Sequence, residues 1–222
     1  MNTSEKGILV IISGFSGAGK GTLVNKLMTD YKDEYALSIS ATTRAPRQGE
    51  QEGVHYFYKS REEFESMIAA DELLEYAMYV DNYYGTPKKY VLDRMNEGKN
   101  VLLEIEMQGA MKIKARFPDT KLIFVSAPSA AVLHERLVGR DTETEEVIKK
   151  RMRRACEEAE DMGQYEYLLI NDELEESTKL LHEIITNEKV NESVKNEPFL
   201  MNRNTEFVDN MRKELKSFLK GE

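Results

Sequence analysis

Residues 8–22 read ILVIISGFSGAGKGT. An apolar run ending at Ser13 gives way to glycines at 14, 17 and 19 and then to Lys20. The order is strand, glycine loop, helix start. Backbone N–H groups of such a loop turn inward and cradle a polyphosphate, and the N-terminus of the following helix adds partial positive charge. The lysine reaches the outer phosphates. A chance glycine-rich turn would not also bring the apolar strand before it and the helical segment 23–28 after it. Gly14, Phe15, Ser16, Gly17, Ala18, Gly19, Lys20, Gly21 and Thr22 are therefore read as a polyphosphate-binding loop. The generic pattern has Ser or Thr directly after the lysine, whereas here Gly21 intervenes before Thr22.

Working outward, apolar β-type runs recur at 8–13, 101–105, 121–125 and 167–170, separated by helical patterns at 87–97, 107–116, 129–138 and 173–187. That alternation predicts an α/β fold, a parallel sheet flanked by helices. Thr86 and Pro87 read as N-cap and first helical residue, and Gly98 as the stop of the same helix. Two stretches interrupt the rhythm. Residues 38–85 are polar and tyrosine-rich, with strand-like pieces at 37–39, 54–58 and 73–80, and read as an inserted substrate-binding subdomain. Residues 139–157 are charged and helical and suit a lid.

The expected organisation is one domain over 1–190. Its core comprises 1–36, 87–135 and 158–190, its insert 37–86 and its lid 136–157, with an extension at 191–222. In that extension Phe207, Val208, Met211, Leu215, Phe218 and Leu219 fall on one helical face, which suits packing on the core or on a neighbouring subunit. A membrane-surface role would require a more basic polar face.

Composition narrows the partners. The 222 residues suffice for one well-cored domain. No apolar run approaches the ~20 residues of a membrane span, and MNTSEK lacks the apolar segment of a secretory signal. The single cysteine, Cys156, excludes an intramolecular disulfide and fits a cytoplasmic protein. A net charge of −9 argues against a nucleic-acid binder. The basic run KKRMRR at 149–154 precedes acidic EEAED, so it reads as a solvated or cleft-lining helix. His55, His134 and His182 show no metal-ligand spacing.

A second anion site is legible at 38–58, SISATTRAPRQGEQEGVHYFY. Arg44 and Arg47 flank Ala45 and Pro46, presenting two guanidinium forks that match phosphate geometry. Tyr56 and Tyr84 each offer a phenolic hydroxyl. The competing reading is a surface loop whose arginines pair with Glu50 and Glu52. Glu75, within LLEYA, would otherwise be a solvent-facing strand carboxylate.

With these motifs in view, the chain resembles the guanylate kinases, P-loop nucleoside-monophosphate kinases of purine metabolism. The resemblance runs from about Gly7 to about Leu181. It rests on GFSGAGKGT (14–22), SATTRAPRQGE followed by Gly53 and Tyr56 (40–56), NYYGT (82–86), LEIEMQGA (103–110), RLVGRDTETEE (136–146) and IND (170–172). It implies transfer of the ATP γ-phosphoryl to GMP, and also to dGMP, with Mg²⁺. ATP would lie on the loop 14–22 with Arg136, Arg140 and Asn171. Arg44, Arg47, Tyr56 and Tyr84 would hold the GMP phosphate, and Ser40, Glu75, Thr86 and Glu106 the guanine. Lys20, Arg44, Arg140 and Arg151 would be the catalytic cations. Thr22 would contact a Mg²⁺ held mostly by water and substrate phosphates.

Glu104 and Glu106 stand where much of the family has Asp, so Glu106 meets the base directly or through water. Phe15 replaces a common proline. Thr86 has two uses, donating to guanine O6 or capping the helix. The implied partners are ATP and GMP, with no nucleic acid and no membrane, in a monomer or homodimer. Within enzymes the runner-up is a kinase for another small phosphate acceptor. An interaction module of the same fold is disfavoured, because such scaffolds lose the phosphate-site residues present here.

Overall fold

The computed structural model describes residues 6–139 and 144–220, the last two by backbone alone. A five-stranded sheet has the order β2-β7-β1-β8-β9, and a second sheet has the order β4-β3-β6-β5. The first comprises β1 (Leu9–Gly14), β2 (Tyr35–Leu37), β7 (Asn100–Glu104), β8 (Lys121–Ser126) and β9 (Tyr167–Ile170). β2 pairs parallel with β7, and β8 parallel with β9. These strands are buried through most of their length, which is why they read as continuous apolar runs rather than alternating ones. The chain divides into two compact units, 1–10 with 33–120 and 11–32 with 121–222.

In the first unit the smaller sheet comprises β3 (Ala41–Thr42), β4 (Phe57–Tyr58), β5 (Leu73–Tyr79) and β6 (Asn82–Pro87). Between β4 and β5 lies helix α2 (Arg61–Ala69), started by a capping box. Ser60 Oγ accepts from the Glu63 N–H at 3.1 Å, and the Glu63 carboxylate accepts from the Ser60 N–H at 2.7 Å. Its Phe64 is fully buried with Ala41 and Leu73, with Phe57, Met67, Ile68 and Tyr83 around them. β5 and β6 form an antiparallel hairpin whose turn residues, Val80 and Asp81, both have positive φ. That is the twist a two-residue hairpin turn needs. A register shift between Leu73 and Tyr76 interrupts the pairing at Glu75.

The chain stays extended through Pro87, because Pro87 pairs with Leu73. This corrects the expected helix start. α3 runs Lys88–Asn96 with Pro87 at the N-cap, and Thr86 is the penultimate residue of β6. Pairing across the sheet overrides the local capping signal. α4 (Met107–Arg116) follows β7 and packs against β5.

The second unit begins within β1. It contains α1 (Lys20–Asp30), α5 (Ala130–Val138), α6 (Glu145–Asp161), α7 (Leu174–Lys189) and α8 (Thr205–Lys220). α6 is the helix expected within the lid, and it continues beyond 157. α8 is the predicted amphipathic helix. Val208, Met211 and Leu215 are buried, Phe207 is half-buried and Phe218 is exposed. The side chain of Leu219 lies outside the described residues.

Gly98 does close α3. It has φ +83°, and its N–H bonds to Met95 O at 3.0 Å just past the helix end. A Cβ in this left-handed conformation costs about 1–2 kcal/mol. Gly98→Ala is therefore expected to lower unfolding stability by about that amount in urea titration, and an unchanged midpoint would contradict this account of the helix stop.

Candidate active site

The phosphate loop is shaped by contacts that exclude side chains. A Cβ on Gly14 would lie 2.0 Å from Val125 O, and one on Gly17, at φ +94°, would lie 3.0 Å from Leu137 of α5. Gly19 is the N-cap of α1 at φ +82° and has no side chain to cap the helix, so the first-turn N–H groups have no side-chain cap there. A helix N-terminus in this state is an anion site. Phe15 is fully buried and meets Phe124 edge-on at 4.9 Å, so the position common to proline serves packing here.

Side chains from three further elements hold this loop. Asn171, just after β9 and 5% exposed, donates its amide to Ala18 O at 2.8 Å. Arg151 of α6 donates to Ser16 Oγ at 2.6 Å. Arg136 of α5 spans Asn171 O at 2.8 Å and Asp172 O at 3.2 Å. Lys20 folds back, its ammonium donating to Gly14 O and to Phe15 O at 3.0 Å. Of the expected donor-site side chains, Lys20, Arg151 and Asn171 therefore bond the loop directly, and Arg136 reaches it through Asn171. Gly21 and Thr22 are exposed on the first turn of α1, and nothing lies within 4 Å of a Cβ at Gly21. Arg140 lies outside the described residues.

The first unit carries a second cluster. Arg44, following β3, forks onto Glu50 at 2.9 and 3.0 Å, and Arg47 donates its backbone N–H to the same carboxylate at 2.7 Å. Tyr58 OH also donates to Glu50, at 2.9 Å. The Arg44 hydrogen bond, the Arg47 N–H and the Tyr58 hydroxyl hold the Glu50 carboxyl at a pKa of about 2 against partial desolvation. Arg44 is in turn held more firmly ionised by Glu50 and Tyr84. Its guanidinium lies 5.3 Å from the Tyr56 ring centroid, and the Tyr56 and Tyr84 rings are 6.1 Å apart. Arg44, Tyr56 and Tyr84 thus come together, while the Arg47 residue is exposed. The pairing with Glu50 expected of a plain surface loop is present within the same cluster. Tyr58 had no signal of its own in the sequence beyond its place in a tyrosine-rich stretch.

Glu75 sits at the register shift of β5. Thr86 of β6 donates its hydroxyl to Glu75 Oε1 at 2.9 Å. Thr86 is 1% exposed, so this bond takes the hydroxyl that local sequence assigned to helix capping. Gly109 of α4 leaves the other oxygen room, since a Cβ there would lie 3.5 Å from Glu75 Oε2. Burial raises the Glu75 pKa above the ordinary glutamate value, opposed by the Thr86 hydrogen bond and the charge of Lys112. A carboxylate in that state gains most from donors that arrive with a ligand. Ser40 is half-buried next to β3, and Glu106 is exposed at the N-cap of α4.

Among the described residues, no group of three or more His, Cys, Asp or Glu side chains is arranged to hold a metal ion. No described helix is long and apolar enough to cross a membrane. Comparison with known proteins agrees with the motifs. The guanylate kinase family matches residues 6–188. A guanylate kinase of Halalkalibacterium halodurans is 54% identical over 184 residues, covering 83% of this chain and 90% of that protein. The crystal structure of guanylate kinase from Anaplasma phagocytophilum superimposes with a TM-score of 0.63 at 30% identity, covering 83% of this chain and 87% of that one. A glycine loop at a helix N-terminus, an arginine–tyrosine cluster and a half-buried carboxylate stand in a sequence matched by relatives over most of its length, and the chain belongs to the guanylate kinase family.

Proposed function

We propose that the ATP:GMP phosphotransfer of this family is carried out here with ATP on the loop 14–22 and GMP on the cluster formed by Arg44, Tyr56, Tyr84, Glu75 and Thr86. Residues 37–86 are then the GMP-binding insert and 136–157 the lid, in a cytoplasmic monomer or homodimer. The observation that carries the acceptor assignment is the half-buried Glu75, one oxygen bonded by Thr86 and the other beside Gly109.

Guanine presents N1–H and its N2 amino group side by side, and a carboxylate accepts both. Adenine turns an acceptor toward the same oxygens, leaving the carboxylate buried and opposed. Such a site discriminates by ~10⁴ or more. Ser40 and Glu106 supply further polar groups toward the base, and Arg47 joins Arg44 on the phosphate. The assigned contacts go to base and phosphate, so dGMP is a second acceptor.

Phosphoryl transfer asks the protein for in-line positioning and charge neutralisation, with little covalent chemistry. The acceptor oxygen belongs to a phosphate already anionic at neutral pH, so no general base is required. When ATP arrives, the β- and γ-phosphates replace Gly14 O and Phe15 O as partners of Lys20. Arg136, Arg140 and Arg151 add positive charge from the lid side, and Asn171 keeps the loop amides aimed at the phosphates.

The donor set fits a Mg²⁺ brought by the nucleotide rather than held in a protein cage, because no carboxylate cluster among the described residues offers one and Thr22 is exposed beside the loop. Thr22 is the residue placed to touch it. When bound, the ion neutralises charge on the β- and γ-phosphate oxygens.

Two outcomes follow for the assigned residues. Lys20→Ala is expected to keep the fold, by circular dichroism and thermal melt, while kcat falls by ~10²-fold or more. A wild-type rate would remove Lys20 from the donor site. Glu75→Gln is expected to lower kcat/KM for GMP by ~10²- to 10⁴-fold with KM for ATP little changed.

Ionised Glu75 is the binding form, and burial has raised its pKa. The kcat/KM for GMP in the wild type is therefore lost as pH falls through a value above that of an ordinary glutamate. The nucleotide's own phosphate titration is common to both proteins, so the difference between the two pH profiles isolates Glu75. Superimposable acid limbs would exclude it from the base site.

A further inference from the structure

The segment matched to the family ends at residue 188, and α8 lies beyond it. What this extra helix touches is specific. Val208, Met211 and Leu215 are buried at i, i+3 and i+7, and α8 packs against both α6 and α5. α6 buries two small residues, Ala155 and Ala159, completely.

Polar bonds then tie α8 to the last turn of α6 and to the first residue of α5. Arg212 donates to Ala159 O at 2.8 Å and to Glu160 O at 3.0 Å, in the last turn of α6, where cations are favoured. Lys216 pairs with Glu160 at 2.7 Å. Glu214 accepts the Ala130 N–H at 2.9 Å, at the first residue of α5. The chain leading to α8 is anchored as well. Asn196 is fully buried on Ile184 O and Glu188, and Met201 N–H bonds Glu166 O beside the edge strand β9.

We infer that α8 is a brace for the lid helix, and that Arg212 and Lys216 are positioning residues that act on ATP through Arg151. The lever is geometric. Arg151 is nine residues from Glu160 on one continuous helix, about 13 Å along its axis. A tilt of only ~10° about the braced end would move Arg151 by about 2 Å, enough to break its 2.6 Å bond to Ser16 in the phosphate loop. Misplacement of a phosphate-binding cation by that distance costs turnover on the scale of ~10²-fold when complete. Loosening the brace spreads Arg151 over positions of which a fraction are productive. The inference rests on the assignment of Arg151 to the ATP site.

The test is a double-mutant cycle on the full-length protein, with kcat and KM for ATP and for GMP measured for each member. Arg212→Ala/Lys216→Ala is expected to lower kcat/KM for ATP by about tenfold, leaving KM for GMP unchanged. In the Arg151→Ala background the same α8 changes are expected to lower it by less than about twofold, because the residue they position is gone. Lys216→Ala alone serves if the double variant melts below the assay temperature.

Equal losses in both backgrounds, or a lowered melting temperature with wild-type kinetics, would overturn the brace and leave the ATP-site assignment standing. Wild-type turnover by Arg151→Ala would overturn that assignment and the inference with it.

Discussion

Much of the proposed donor unit depends on one requirement, that the backbone amides of the loop 14–20 can face an anion with nothing in the way. Peptide groups do not hold that arrangement by themselves. Gly17 and Gly19 adopt positive φ where a side chain would strain or collide, and Asn171 fixes the Ala18 carbonyl from the end of β9. Arg136 then fixes Asn171 through its own carbonyl. The loop is held by a chain of bonds running from sheet edge to helix, so its donors are aligned before ligand arrives. Alignment in advance is the larger part of electrostatic catalysis, because no reorganisation is required when charge develops.

The proposed acceptor unit would face a different problem, recognition of a base by groups that water would otherwise satisfy. A carboxylate on an ordinary strand position would be solvated and indifferent to guanine. The register shift between Leu73 and Tyr76 places Glu75 where burial penalises its charge and one hydroxyl supports it. Arg44 is the reverse case. Its counter-ion Glu50 stays ionised down to a pKa of about 2, so the guanidinium is oriented rather than mobile when a phosphate approaches. One group is left under-satisfied and the other fully satisfied, and each state suits its expected ligand.

How much of this was legible in the sequence depends on how local the cause is. The loop 14–22 could be read directly because its chemistry lies within nine consecutive residues. Gly98 as a helix stop was legible for the same reason. The N-cap reading of Thr86 fails because a Thr-Pro pair is a helix start in isolation, and only the pairing of Pro87 with Leu73 keeps the chain extended there. Its other reading does not depend on that cap. The Arg44–Glu50 bond was anticipated as an alternative to a phosphate site, whereas in three dimensions the two readings describe one cluster. The periodicity of α8 showed that one face would be buried. It carried no information on which helix would cover it, since that is fixed by the carbonyls of Ala159 and Glu160 at the end of α6.

The account turns on Glu75 reading guanine while the loop 14–22 presents ATP. Its most direct test is the rate of ADP release from ATP with GMP, dGMP, AMP and UMP as alternative acceptors. The expected result is turnover with GMP and dGMP, and a kcat/KM for AMP lower by ~10⁴ or more. Comparable turnover of AMP, or ADP release that proceeds equally without any acceptor, would contradict it.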